Sequence, residues 1–387
     1  MVSRRSITLL SSIAMCLLLS SGHSVRVAHA QQAQEDRPRE LADAAFRESR
    51  QGQVLAQARD AWSAPSKWTL LSKKSIQQQH TLWNCVSREL ENQARFKSAV
   101  AALKLHYALV ACQMGLALQS EAEAYVLDQM DVEEELIEIG GQVDDTTELK
   151  RALIDLRDQK LQIENQQSRL RDELSLLVGP EWACSYLPEE TTCPTPDLSE
   201  QCDVESWALA NRAELRALGC VRKHGDGFTE EAMALIDGFS SFPIGLKMLW
   251  GPKDPRRLLA HRPSLDQISQ LEKGLDDWIR IRSDQIRIET AAAYRSKSLA
   301  VERWKLAVQK TETLSERCEN LKAISDFKGN LPEQVQAGLE LYRAKAQEIE
   351  RWSQWHQADC ELQDAIGRIG FWNAESSPSV PAKTPLR

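Results

Sequence analysis

The sequence predicts an all-α fold: two tandem long antiparallel helical hairpins, coiled-coil-like, with strand reduced or absent. Three observations lead there. Ala, Leu, Glu, Gln, Arg and Lys fill long stretches of the 387 residues, and aromatics are only 6%, the profile of long helices rather than of a sandwich. One segment carries nine seam positions at alternating spacings of four and three, which is a coiled-coil pattern. The same order of helix, break and helix returns 188 residues later. Apolar residues reach 42%, too many for a disordered chain. A net charge of −8 with no basic stripe argues against a nucleic-acid partner.

Residues 1–30 read as a signal peptide. Arg4 and Arg5 form a basic start, Ile7 to Leu19 is apolar apart from Thr8, Ser11 and Ser12, and Ala28-His29-Ala30 offers a small-x-small cleavage site. The apolar run is too short to span a membrane comfortably. Export to an oxidising compartment makes disulfides plausible for the eight cysteines that remain. Cys184, Cys193, Cys202 and Cys220 lie close together in a Pro-bearing region and suggest local loop closure. Cys85, Cys112, Cys318 and Cys360 sit in helical patterns and read as small apolar packers.

The first repeat covers residues 31–179. A polar, helix-prone start is followed by a break over 61–84, and a helix of about 50 residues runs from about Glu89 to Ile139. Leu105, Leu109, Cys112 and Leu116 draw its apolar stripe. At about 1.5 Å per residue it is roughly 75 Å long and must lie against other long helices. Gly140-Gly141 stops it. The next helix carries the seam Leu149, Leu153, Leu156, Lys160, Ile163, Gln167, Leu170, Leu174 and Leu177, and Gly179-Pro180 ends it. Lys160 and Gln167 are polar seam positions, suited to fixing register or facing water.

A Pro- and Cys-bearing linker occupies 180–203, and the second repeat covers 204–370. It opens with a short helix over roughly Val204–Leu218, then an irregular Gly- and Pro-bearing stretch to 264. Helix returns from Leu265 to Phe327, breaks at Gly329, resumes over 333–366 and ends at Gly367. The tail 371–387 is rich in Ser and Pro and is expected to be disordered. A shift of 188 residues superposes the two hairpins without a gap: Gly141 meets Gly329, Leu153 meets Leu341, Leu174 meets Leu362 and Gly179 meets Gly367. Because both breaks and the helix length coincide, an internal duplication accounts for them together.

Catalytic chemistry finds little support. GxxxxGK[ST], HExxH and GxSxG are all missing from the sequence, and no CxxC pair points to zinc. His224 near Cys220 and Asp226 reads as a solvated loop, and Glu133-Glu134-Glu135 as a solvated helix face. No cofactor is implied. Trp352 and Trp355 share a helix face and suit packing on a partner helix or on another subunit.

Several short motifs give this arrangement a family likeness. Gly141-Gln142-Val143-Asp144 and Gly329-Asn330-Leu331-Pro332 stand at the two hairpin tips. Leu174-Ser175-Leu176-Leu177-Val178-Gly179 and Leu362-Gln363-Asp364-Ala365-Ile366-Gly367 close the following helices. Ala208-Leu209-Ala210-Asn211-Arg212-Ala213-Glu214-Leu215 opens the second repeat, and Ala102-Leu103-Lys104-Leu105-His106-Tyr107-Ala108-Leu109 lies in the first long helix. In their order and spacing over residues 89–370 they resemble the TolC-type outer membrane efflux proteins of double-membraned bacteria. Ala213 stands where that family has Pro, and Asp144 and Pro332 where it has Ser.

The resemblance implies an exported protein of the outer membrane or periplasm that acts as a passive conduit in efflux or secretion. It implies a homotrimer, a periplasmic adaptor and an inner-membrane pump as partners. The adaptor would meet the tips at Gln142, Val143, Asp144, Asn330, Leu331 and Pro332. It also implies four membrane strands per protomer, placed before Glu89 and between about Phe239 and Leu265. The first region offers only Trp68-Thr69-Leu70-Leu71 and neighbours, the second Ile244 to Trp250 before Pro252, Pro255 and Pro263. The barrel is therefore expected to be reduced or absent. A periplasmic coiled-coil scaffold without a conduit is the second reading, and an envelope enzyme with a buried Cys/His site the third.

Overall fold

A computed structural model of the chain describes residues 37–63, 73–138, 147–186, 201–224, 265–328 and 331–368. The signal peptide, most of both hairpin tips and the tail 371–387 lie outside the described residues. Every regular element among them is a helix. A helix over residues 37–48 (α1) is followed by Arg50–Ser63 (α2), Lys73–Glu138 (α3), Thr147–Val178 (α4) and Pro180–Ser185 (α5). Gln201–Asn211 (α6), Ala213–His224 (α7), Leu265–Lys328 (α8) and Leu331–Ile366 (α9) complete the chain.

The predicted seam of α4 is realised. Leu149, Leu153 and Leu174 are buried, and Leu156, Lys160, Ile163, Gln167, Leu170 and Leu177 are half-buried. Its polar positions find partners on α3: Lys160 Nζ lies 3.4 Å from Glu123, and neighbouring Gln119 donates to Gln159 at 3.0 Å. The paired helix ends are realised too. Gly179 and Gly367 have φ of 89° and 74°, and no other described residue has positive φ. At Gly367 the chain closes α9 with Gly367 N–H on Asp364 and Arg368 N–H on Gln363, both at 3.1 Å, a Schellman ending that needs a residue free of Cβ strain.

Four long helices lie side by side in the order α4, α3, α9, α8. Two departures from the sequence reading concern where helices begin and end. α3 starts at Lys73, sixteen residues ahead of the expected Glu89. Leu82, Val86 and Leu90 recur at spacing four and are buried against Leu218 and Val221 of α7, and the glutamine run does not interrupt them because Gln is a good helix former. The expected single helix after Val204 is two, α6 and α7, meeting at Arg212.

The cysteines need a further correction. Cys85 and Cys220 form a disulfide across 135 residues, so Cys85 is not a free packing residue and Cys220 does not close a local loop. Sequence proximity misled here; the bundle sets α3 beside α7. Cys112, Cys318 and Cys360 are buried and in no disulfide, as expected of packing residues, Cys184 is exposed and in no disulfide, and Cys193 lies outside the described residues. Glu133 also departs from expectation: it is buried, while Glu134 and Glu135 are exposed.

Each repeat carries a charged joint where its short helices meet the long ones. Ser49 separates α1 from α2 and accepts the Gly52 N–H at 3.2 Å as an N-cap. Arg95 of α3 crosses that break, donating to the carbonyls of Phe46 and Arg47 at 3.1 and 3.0 Å, and pairs with buried Glu91, which also holds Arg59. In the second repeat Arg212 donates to the Asp364 and Ala365 carbonyls that end α9, and pairs with Glu214 and Glu289. Burial alone would raise the Glu214 carboxyl. Arg212 and Arg282 outweigh it and hold the group below the usual carboxylate range.

Candidate functional site

Position in the layer decides what each long helix exposes. α3 and α9 are interior, each flanked on both sides. Tyr107 of α3 stacks on His356 of α9 with ring centroids 4.3 Å apart and meets Trp352 edge-on at 6.0 Å. Nearer the tips Tyr125 of α3 lies 5.6 Å from Tyr342 of α9, and its hydroxyl donates to the Gln334 carbonyl at 3.2 Å. Gly338 makes room for that ring, since a Cβ there would fall 2.4 Å from the Tyr125 hydroxyl. Trp355 stacks on Trp304 of α8 at 4.8 Å. Both tryptophans of the pair singled out in the sequence thus pack on partner helices of the same chain.

Two buried histidines lie in this interior joint. Burial, and after it the neighbouring His356, lowers His106 to about 3. Burial, and then Lys297, lowers His356 to about 4. Both are neutral at physiological pH. His106 Nδ1 shares a hydrogen bond with the Tyr186 hydroxyl, and beside His356 a nearly buried Lys297–Asp359 pair closes at 2.6 Å. These groups pack tightly against one another, and no group of three or more metal-ligating side chains occurs among the described residues. The cluster is a packing joint.

The outer helices show a different surface. On α8, Ile281, Ile288, Leu299 and Leu306 are each more than half exposed. Their spacings of seven, eleven and seven are close to whole helical turns, so they form one straight stripe of about 37 Å. On α4, Ile154, Leu161 and Leu176 are exposed to a similar degree and fall on one side of the helix. Aligned apolar stripes on both edges of one layer differ from the scattered exposed apolar residues normal on a surface.

The internal repeat says how these edges fit. A shift of 188 carries α3 onto α8, and Val100 and Leu118, both buried, onto exposed Ile288 and Leu306. The reverse shift carries α9 onto α4 and Tyr342 onto exposed Ile154. The face that α3 uses on α9 inside the protomer is the face that α8 leaves open, and α4 leaves open the counterpart of α9's. The seam reading of the sequence missed these stripes because it followed only the face shared within a hairpin. The spacing from Ile281 to Leu306 was the available signal.

Of the tip residues proposed from sequence, Leu331 and Pro332 form the first turn of α9, where a proline needs no amide hydrogen. Gln142, Val143, Asp144 and Asn330 lie outside the described residues. Close below the tips Val126, Leu149, Leu153 and Val335 form a core that joins α3, α4 and α9.

No protein-family model matches the chain, and no curated protein does. Solved structures do. A membrane protein from Pseudomonas aeruginosa superposes with a TM-score of 0.59 at 13% identity, covering 85% of this chain and 93% of that one. The CmeC outer membrane channel of Campylobacter jejuni gives 0.58 at 10%, with 85% of each chain covered. The outer membrane protein VceC of Vibrio cholerae gives 0.53 at 12%, covering 87% of this chain and 98% of that one. The chain has the fold of the TolC-like outer membrane channels.

Proposed function

We propose that this chain is the protomer of a ring-shaped helical conduit, a homotrimer acting passively in efflux or secretion of small molecules across the envelope of a double-membraned bacterium. The carrying observation is the pair of apolar stripes on α8 and α4. A head-to-tail contact between unlike edges repeats around a ring until it closes. Here the outer contact would reuse the inner one, with α8 on a neighbour's α4 as α3 lies on α9. Each buried Leu or Ile would contribute about 1.5–3 kcal/mol. The channel fold shared with CmeC and VceC supports the same reading. Energy would come from an inner-membrane pump, reached through a periplasmic adaptor at Gln142, Val143, Asp144, Asn330, Leu331 and Pro332.

The inner contact specifies the test. Tyr107 on His356 translates to Arg295 on Ser168 of the next protomer, and Tyr107 on Trp352 to Arg295 beside Glu164. In a Cys184→Ser background, Arg295→Cys and Ser168→Cys in one chain should crosslink into a ladder that ends at trimer. Monomer alone after oxidation overturns the ring. At the tips, charge reversal at Asp144 should alter crosslinking to the adaptor, and unchanged crosslinking removes the tip assignment.

A further inference from the structure

The second helices of the two repeats agree at five positions. Leu153 with Leu341 and Leu174 with Leu362 belong to the hairpin seam. The other three are polar and follow at spacings of seven: Gln159 with Gln347, Gln166 with Gln354 and Glu173 with Glu361. Each precedes a seam position by one residue, so they flank the seam on one side. The opposite flank has diverged, with Arg157 set against Lys345, Glu164 against Trp352 and Arg171 against Asp359.

Contacts inside the hairpins do not account for the kept row. Gln159 accepts from Gln119 of α3 and Gln347 from Lys310 of α8, both at 3.0 Å. The shift of 188 carries Gln119 onto Ala307 and Lys310 onto Ala122, so the partners are not shared. Place in the layer does not account for it either, since α4 is an edge and α9 is interior. What the rows share is one face of the layer. Gln159, Gln166, Glu173 and Glu361 are exposed there, and Gln347 and Gln354 are half-buried. Beside them on α9 stand exposed Gln336, Arg343 and Glu350. Lys104 of α3 reaches Glu361 at 3.3 Å across this face. The short helices cover the other face. α1 meets α3 at Ala102 and Leu109, on the side away from Lys104. α6 meets α9 at Leu362 and Ile366, on the side away from Glu350 and Gln357.

A ring must turn one of these faces inward. Three protomers of four long helices make twelve. At about 10 Å between axes they enclose a circle about 38 Å across, of which about 28 Å is clear of the helices themselves. Three copies each of α1 and α6 are six more rods about 10 Å thick, enough to choke that opening. The bare face is therefore the inner one. We infer that Gln159, Gln166 and Glu173, with Gln347, Gln354 and Glu361, line the bore as three levels of six side chains, two of amide and one of carboxylate. The ring itself rests on the function proposed above. Side chains that meet the same water in both repeats have the same reason to stay polar, whatever their neighbours in the layer.

Distances between spin labels on the purified, assembled chain test it. In a Cys184→Ser, Cys193→Ser, Cys202→Ser background, one cysteine is added as Gln166→Cys, Gln354→Cys or Ala124→Cys. Ala124 is exposed on the α1 side of α3. Double electron–electron resonance then reads the spacing between protomers. Labels at Gln166→Cys or Gln354→Cys should lie about 17 Å closer together than labels at Ala124→Cys, because a helix about 10 Å thick separates the two radii. Equal or reversed spacings in a chain that still assembles overturn the bore wall and leave the conduit. Unchanged helix content with no spacing between protomers at any of the three sites means that no ring forms, and it overturns both.

Discussion

α4 and α9 occupy equivalent places in the two repeats, and they are buried very differently. Twenty of the 32 residues of α4 are exposed, against six of the 34 from Glu333 to Ile366 in α9, so one is an edge and the other an interior helix. Their side chains follow suit. Where α9 has Trp352 and His356, α4 has Glu164 and Ser168. Yet the hairpin seam is common to both, and Leu174 and Leu362 are each fully buried. A duplicated helix keeps the face that its own hairpin needs. Its other faces answer to the neighbours that its place in the layer supplies.

The sharpest way to break this comparison is to cut the same position in both helices. Trp352→Ala should cost about 3–5 kcal/mol, whereas Glu164→Ala should stay within about 0.5 kcal/mol, as exposed substitutions do. Leu362→Ala and Leu174→Ala should each cost about 2–5 kcal/mol. Urea unfolding of the four variants tests the set, and a large loss at Glu164 would show that α4 is not an edge in the monomer.

Separating the repeats covalently should have a comparable effect. Cys85→Ser removes a crosslink over a long loop and should cost about 2–5 kcal/mol, read as a lower denaturation midpoint that reducing agent no longer changes.

Acid should act on the interior joint and spare the seam of the first hairpin. His106 and His356 titrate at about 3 and 4 in the fold and near 6.5 when unfolded. The unfolded chain therefore binds more protons below that value, so stability is full above about pH 6.5 and falls as pH drops toward 4. Around His356 stand Tyr107 and His106 on α3, Trp352 and Trp355 on α9 and Lys297 on α8. Lys297 opposes a further positive charge. Hydrogen exchange at pH 4 should therefore rise first along α3–α9, and equal loosening of α3–α4 would contradict the assignment.

The smallest effect on the monomer should be the most telling for assembly. Ile288→Glu lies on an open face and should leave monomer stability within about 0.5 kcal/mol. It should abolish the trimer, because association would bury an unpaired carboxylate. Light scattering checks it, and an unchanged oligomer would place the interface elsewhere.

The long helices, their breaks and the α4 seam were legible because helix periodicity and glycine stops are local properties of the chain. The nine seam residues and both positive-φ glycines sit where the pattern put them. The early start of α3, the Cys85–Cys220 bond and the burial of Glu133 were not legible, because each depends on a neighbour far away in sequence. Of the candidate site, the tips were named from resemblance alone. The edge stripes were present in the sequence as spacing, but spacing does not say which face of a helix is covered.

Local periodicity and backbone preference were enough to establish two long hairpins and the glycine ends of their second helices, since 3.6 residues per turn and a glycine's freedom at positive φ act within a few residues. Folding in space made α9 an interior helix and α4 an edge, paired Cys85 with Cys220, and shielded two histidines from protonation. Those outcomes depend on which surfaces exclude water from one another, and that is settled only when helices distant in sequence are laid side by side.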